Sequence, residues 1–257
     1  MCLDTSLYAM IYKRKSFHLF RNVGYENLTS DEIEDIYKKY RDLKPLYSTI
    51  RTAIQIVPTD KTTCKRQQEY CVLIYSEIKD NYLQNVGYMG EQLDLYLASK
   101  NIGTLWYGAG KPDNLVYDGL SFVIMFAIAK VDDDKKFRKD MFKSKRKPIE
   151  EIWKGKQIVG VSDIVRYAPS ACNSQPWIVE HNDSVLRVYR YKKPGKRGIM
   201  PKDKVSFYNQ IDVGIFLCFL ELCLQHNAIQ FEKEIFYDSG NNCEKTIVAE
   251  YTLGRNN

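Results

Sequence analysis

The chain has 257 residues, 44% of them hydrophobic and 27% charged, with a formal charge of +6 at pH 7; this balance fits an ordinary globular protein and excludes a disordered or fibrous one. No apolar run approaches the ~20 residues of a membrane-spanning helix, because the longest, Val213 to Leu224, is interrupted by Glu221. Seven cysteines without a C-x-x-C pair, and only three histidines, give no zinc spacing and point to reduced thiols; with no basic-then-apolar leader at the N-terminus, a cytoplasmic protein is expected.

The positive charge is concentrated in two places. Lys135, Lys136, Arg138, Lys139, Lys143, Lys145, Arg146 and Lys147 face only Asp140, and a second cluster holds Lys192, Lys193, Lys196, Arg197, Lys202 and Lys204. Such runs are usually solvated loops, and they can attract anionic ligands. No nucleic-acid-binding motif accompanies them.

In chain order, residues 4–14 place Leu7, Met10 and Ile11 on one helical face. Thr29 with Glu32 forms a capping box that opens a helix to about Tyr40. Arg51 to Val57 and Tyr70 to Tyr75 are strands by their β-branched and aromatic content. From Asn85 to Lys100 the spacing of Val86, Met89, Leu93, Tyr96 and Leu97 is helical, and the helix stops near Asn101-Ile102-Gly103. Thr104 to Gly110 is expected as a loop, and Phe122 to Ala129 as a buried strand.

The second half repeats that order loosely. Ile158 to Tyr167 is expected as the end of a helix. Strands follow at Trp177 to Glu180 and Leu186 to Tyr191, then a long helix from Ile211 to Ala228, then strands at Phe231 to Tyr237 and Thr246 to Leu253. The long helix is apolar on nearly all sides and should be buried centrally. The helix carrying Gly87-Tyr88-Met89-Gly90 matches in pattern the one carrying Asp212-Val213-Gly214-Ile215, and both end at an Asn, which suggests an internal duplication. The expected fold class is α+β, with halves at 1–147 and 148–257.

One stretch stands apart: Arg166-Tyr167-Ala168-Pro169-Ser170-Ala171-Cys172-Asn173-Ser174-Gln175-Pro176-Trp177. Two prolines bracket a polar, uncharged turn rich in donors and acceptors. On composition alone this is a helix-to-strand connection built of turn formers. Its order A-P-S-A-C-N-S-Q-P-W, however, resembles the flavin-edge signature of the FMN-dependent nitroreductase family, A-P-S-x-x-N-x-Q-P-W.

The resemblance implies a set of FMN contacts. From this loop they are Pro169, Ser170, Ala171, Asn173 and Gln175. The family's N-terminal R-x-S-x-R motif is matched by Arg14-Lys15-Ser16-Phe17-His18, with His18 where a second Arg is usual, so Arg14, Lys15 and Ser16 are the phosphate candidates. A guanidinium binds phosphate with two prongs and a hydroxyl adds a hydrogen bond. Lys145 and Arg146, in a basic stretch running into Pro148, are further phosphate candidates. Trp106, Tyr107, Gly108 and Ala109 lie in the segment that similar proteins pass over the isoalloxazine ring. Trp106 fits a core position equally well. Cys172 is a small filler of the loop or a reactive thiol, and His181 and His226 are structural.

Members of this family are typically two-chain dimers with FMN between the subunits. Here the phosphate candidates lie in the first half and the proline-bracketed loop in the second. The chain therefore resembles the fused, single-chain branch, in which two nitroreductase-like halves form an internal pseudo-dimer with mainly antiparallel sheets. That branch implies a monomer with one FMN site. The implied activity is an NADH- or NADPH-dependent oxidoreductase that reduces nitroaromatics, quinones or similar small-molecule acceptors, without side-chain acid–base catalysis and with no nucleic-acid or membrane partner. The alternatives are a flavin-binding protein for storage or sensing, and a basic nucleic-acid-binding protein using the Lys135–Lys147 run.

Overall fold

The structure, a computed structural model, describes residues 2–139, 145–192, 198, 200–241 and 243–254. Asp140, Lys143, Lys193, Lys196 and Arg197 of the basic clusters lie outside the described residues.

The first half opens with a 3₁₀ turn at Thr5–Ala9 and a short helix α1 (Met10–Lys13), then α2 (Ser30–Asp42). The expected capping box begins α2: the Thr29 hydroxyl accepts from the Glu32 amide at 3.2 Å and the Glu32 carboxylate from the Thr29 amide at 2.8 Å. Strands β1 (Thr52–Pro58) and β2 (Tyr70–Ser76) precede the long helix α3 (Tyr82–Ser99), and β3 (Ile102–Tyr107), β4 (Val116–Tyr117) and β5 (Leu120–Lys130) follow it. The second half holds α4 (Ile149–Ile152), β6 (Trp153–Gly155), α5 (Ser162–Val165), β7 (Trp177–Asn182), β8 (Val185–Tyr191), α6 (Val205–His226), β9 (Phe231–Ile235) and β10 (Lys245–Leu253).

Each half supplies one sheet. The first has strand order β1-β2-β5-β3, with β4 beside β5; the second runs β6-β7-β8-β10-β9. Every pairing is antiparallel except β6 with β7. The order strand, strand, long helix, strand, strand occurs once in each half. Matching β1, β2, β3 and β5 to β7, β8, β9 and β10 gives the same neighbours in both sheets.

Two expected elements differ. The segment from Thr104, expected as a loop, continues β3 through Tyr107 and pairs residue by residue with Ile128 to Met125 of β5. Asn101 takes a left-handed φ of 56°, so the chain leaves the helix and enters the sheet at once, and cross-strand pairing makes a strand of Thr-Leu-Trp-Tyr. The helix expected from Ile158 to Tyr167 is reduced to α5. Gly160 sits at φ +75°, outside helical geometry, so the regular helix starts only beyond it, and the Asn227 side chain donates to its carbonyl at 3.2 Å.

Helix α6 is apolar on almost every face. By length and composition it could cross a bilayer, contrary to the expectation from the Glu221 interruption, yet 83% of its most apolar window is buried within the protein. It packs against α3 through a crossing without side chains. A Cβ on Gly87 would fall on the Ile211 carbonyl and near the Ile215 amide; a Cβ on Gly214 would fall on the Gln84 carbonyl and near the Tyr88 amide. In both cases the partners are three residues before and one after the facing glycine. The helices therefore cross about an approximate two-fold axis, and glycine lets the backbones touch.

Glu221 is buried in α6 and fully engaged. It accepts from Tyr88 at 2.7 Å and Tyr251 at 2.9 Å, and pairs with Lys233 at 2.7 Å. Elsewhere the buried His181 meets the Lys156 carbonyl at 2.6 Å, and the exposed His226 stacks on Tyr8 with ring centroids 3.6 Å apart.

Candidate functional site

Arg14 leaves the end of α1 and turns inward until it is only 2% exposed. Its Nε donates to Asp94 Oδ2 of α3 at 2.7 Å and its Nη2 to Ser16 Oγ at 3.2 Å. Asp94 also accepts from the Trp106 indole at 3.0 Å and from the Thr104 hydroxyl. One carboxylate thus ties the N-terminal segment to β3. Glu91, one turn earlier, lies 3.6 Å from Arg14 Nε, but neither of its oxygens has a hydrogen-bond partner among the described residues. Burial, then the charge of Asp94, pushes the Glu91 carboxyl well above the usual carboxylate range. The ion pair of Arg14 is therefore chiefly with Asp94, at 2.7 Å against 3.6 Å for Glu91. Burial opposes the charge on Arg14, but Asp94 and Glu91 outweigh it and raise the Arg14 pKa.

The segment 145–147 runs along the proline-bracketed loop. Arg146 donates through Nη1 to Asn173 Oδ1 and through Nη2 to the Tyr167 carbonyl at 3.1 Å. Asn173 Nδ2 donates to the Lys145 carbonyl at 2.8 Å, and Gln175 Oε1 accepts from the Lys147 amide at 2.8 Å. Gln175 Nε2 reaches the Arg166 carbonyl at 3.2 Å. The amides of Asn173 and Gln175 thus hold one strand of chain to another. The sequence pattern alone had suggested that they face outward to a ring.

The loop itself is strained. Cys172, Asn173 and Gln175 take φ values of 51°, 53° and 45°, a left-handed region that costs non-glycine residues about 1 kcal/mol or more each. Asp212 of α6 holds it in place, accepting from the Ala171 amide at 2.9 Å and the Ser174 hydroxyl at 3.4 Å; Ser170 Oγ accepts from the Gln175 amide at 2.9 Å. From the first turn of α6, Tyr208 donates to the Gly108 carbonyl at 2.8 Å. A side chain at Gly108 would collide with the Tyr208 ring, so glycine permits this bridge between the halves. Tyr107 and Trp106 are half-buried and Ala109 is exposed. Trp106 packs edge-on against Phe126, 4.4 Å between centroids.

Complete burial pushes the Asp212 carboxyl up to about 8, against the two hydrogen bonds that lower it. A carboxyl whose pKa rises from 3.8 on folding binds its proton more tightly in the folded chain. Its contribution to stability is complete below about pH 4 and is lost as the pH rises to about 8. Asp212→Asn is therefore expected to flatten the fall in stability between pH 5 and 8 relative to the parent, while the Glu91 contribution stays in both. Denaturant midpoints at the two pH values check this, and parallel curves for the two proteins would contradict it.

Beside the loop lies a cavity of about 500 Å³. Arg14, Ser16, Arg138 and Arg146 reach into it, and Lys15, His18 and Lys145 stand at its more exposed side. Burial, then the neighbouring charge of Arg14, lowers both Arg138 and Arg146 to about 10, so all three guanidiniums stay charged and repel one another. Arg146 Nε is buried with no hydrogen-bond partner among the described residues. Crowded guanidiniums with one buried donor still to be used suit an anion.

Of the residues singled out from sequence, Arg14, Lys15, Ser16, Lys145 and Arg146 come together at this cavity. Pro169, Ser170, Ala171, Asn173 and Gln175 form the adjoining loop. Gly108 meets that side of the molecule through Tyr208, whereas Trp106 points toward Asp94. Sequence reasoning missed Glu91, Asp94, Asp212 and Tyr208, and took Arg138 only as part of a charge run. The available signal was an acidic residue on an otherwise apolar helix: Glu91 and Asp94 in α3, Asp212 in α6.

Residues 6–224 match the family described as “Putative TM nitroreductase”. The chain belongs to this nitroreductase family. Its nitroreductase fold is also that of a “putative nitroreductase” of Thermotoga maritima MSB8, at TM-score 0.60 and 17% identity over 96% of this chain and 92% of that one. A nitroreductase family protein of Clostridium novyi NT aligns over 51% of this chain and 87% of its own, with 16% identity and TM-score 0.39. A nitroreductase-like protein of Bacillus cereus aligns over 62% of this chain and 100% of its own, with 12% identity and TM-score 0.40. No curated protein matches the sequence.

Proposed function

We propose that this nitroreductase-family chain is an FMN-dependent oxidoreductase in which two homologous halves, 1–147 and 148–257, form an internal pseudo-dimer around one cofactor site. The observation that carries this is the join between the cationic cavity and the proline-bracketed loop, made by Arg146 on Asn173. The residues fit the group. Arg138, Arg146 and the Ser16 hydroxyl suit a phosphate, and the unpartnered Arg146 Nε is a donor still to be used. Matching sheet orders and the reciprocal glycine crossing support the duplicated halves.

When bound, FMN supplies the redox chemistry, taking a hydride from NADH or NADPH and passing two electrons to a quinone, nitroaromatic or similar acceptor. The chain's own groups bind and orient. Arg138 and Arg146 neutralise the phosphate, and Asp94 keeps Arg14 and Trp106 fixed between the cavity and the sheet. Asp212, Asn173 and Gln175 hold loop 169–175 in one conformation, so little ordering cost remains when a ring settles against it. No side chain is asked to exchange a proton with the substrate.

Freshly purified protein is expected to be yellow, to release FMN on denaturation, and to bleach on anaerobic mixing with NADH or NADPH. Colourless protein that takes up no added FMN would refute the cofactor assignment. Flavin that stays oxidised with both donors would refute turnover and leave storage or sensing.

A further inference from the structure

The cationic cavity carries more charge than one flavin phosphate can use. Seven basic side chains line it: Arg14, Arg138 and Arg146, with Lys15, Lys135, Lys139 and Lys145. Among the described residues no acidic side chain lines it with them; the two buried acids behind it, Asp94 and Glu91, lie against Arg14. A phosphate monoester brings at most two negative charges.

The basic groups are also layered. Arg14, Ser16, Arg138 and Arg146 are buried or half-buried, whereas Lys15, His18, Lys135, Lys139 and Lys145 are exposed. Lys15 is oriented by its bond to the Lys136 carbonyl at 2.8 Å. The cavity also has two flat ring surfaces, Phe137 within and His18 at the rim. Phe137 is locked edge-on against Phe17, 5.3 Å between centroids. A volume of about 500 Å³ exceeds the needs of a lone phosphate and suits a phosphorylated nucleoside.

We infer that this cavity takes a second phosphate besides that of the flavin, borne on the adenosine ribose of the hydride donor, and that the donor is therefore NADPH rather than NADH. The inference rests on the flavin oxidoreductase reading above. The inner guanidinium layer holds the cofactor's phosphate. The outer lysines, chiefly Lys135 and Lys139, receive the ribose 2′-phosphate, with His18 available to lie against the adenine. NADH lacks that phosphate and leaves the outer cations without a counter-charge. The chemistry of the hydride step is the same for both donors, so discrimination is a matter of binding alone.

The test uses flavin-loaded full-length protein. Its kcat/KM for NADPH is expected to exceed that for NADH by about 30-fold or more, since a charge-assisted contact to one phosphate is worth roughly tenfold or more. The ratio should shrink as salt is added, because the lysines are exposed and screened. Adenosine 2′,5′-bisphosphate should compete with NADPH far more strongly than adenosine 5′-monophosphate does. Lys135→Ala with Lys139→Ala should drive the NADPH/NADH ratio toward one through KM, and arginine at both positions should restore it. The flavin spectrum reports whether each variant is folded and loaded. Protein that holds FMN and is reduced equally well by both donors would overturn this inference and leave the oxidoreductase reading standing. Release of FAD in place of FMN would also overturn it, because the extra phosphate would then belong to the cofactor. Protein that binds no flavin would instead remove the reading beneath it.

Discussion

Arg14→Ala is expected to lower folding stability by about 3–5 kcal/mol, whether or not cofactor is present. Arg14 is almost fully buried and its Nε lies 2.7 Å from Asp94 Oδ2. Removing one member of a buried ion pair strands the other charge where water cannot reach it, and that penalty has this size. Asp94 would retain only the Trp106 indole and the Thr104 hydroxyl. Glu91 is no substitute, since it is a second buried acid at the same spot and burial disfavours its charge. Asp94→Asn placed on top of Arg14→Ala should recover much of the loss, because the stranded charge is then gone. Urea denaturation of the two single variants and the double variant measures this. If Arg14→Ala empties the protein of flavin without moving the denaturation midpoint, Arg14 is an anion ligand and its pairing with Asp94 contributes little. The cleaner probe of phosphate binding is therefore Arg146, which carries no ion pair in the described structure and has a free buried donor.

Gly214→Ala is expected to cost about 3 kcal/mol or more, and Gly87→Ala a similar amount. On an exposed helix the same change would be stabilising, by about 1 kcal/mol, because alanine is the better helix former. Here the new methyl of Gly214 would meet the Gln84 carbonyl and the Tyr88 amide, and that of Gly87 the Ile211 carbonyl and the Ile215 amide. Backbone cannot swing aside like a flexible side chain, so the helices must separate and loosen the apolar contacts along both. A loss of this size corresponds to a melting temperature lowered by roughly 6–12 °C in a chain of this length. Equal losses at the two positions would fit the approximate two-fold axis between the halves. A variant at either glycine that melts with the parent protein would show that the crossing tolerates a methyl group.

Much of the architecture is legible in the residues because it depends on local patterning. The box formed by Thr29 and Glu32 marks the start of α2, and the spacing of Val86, Met89, Leu93 and Leu97 marks α3. Apolar residues all around α6 announce a buried helix. Where two local tendencies compete, the pattern misleads. Thr104 to Tyr107 reads as a loop beside glycines, yet β5 offers a complete set of hydrogen-bond partners and draws it into the sheet. Gly160 is the converse case, a single left-handed residue beyond which the helix expected from Ile158 starts late.

The sequence by itself determined the composition of the candidate site: an arginine–serine pair near the N-terminus, a basic stretch before Pro148 and an amide turn between two prolines. Each follows from the chemistry of neighbouring residues, and that chemistry travels with the chain whatever the fold. Only the tertiary structure decided what those residues touch. Asp94 and Asp212 are distant in sequence from Arg14 and Ala171 and meet them only because the N-terminal segment packs on α3 and the proline-bracketed loop packs on α6. Tertiary packing also turns Asn173 and Gln175 toward residues 145–147, and it places Lys135, Arg138, Lys139, Lys145 and Arg146 on the wall of a cavity. Long-range contacts of this kind are set by how buried surfaces fit together, and no local pattern records that fit.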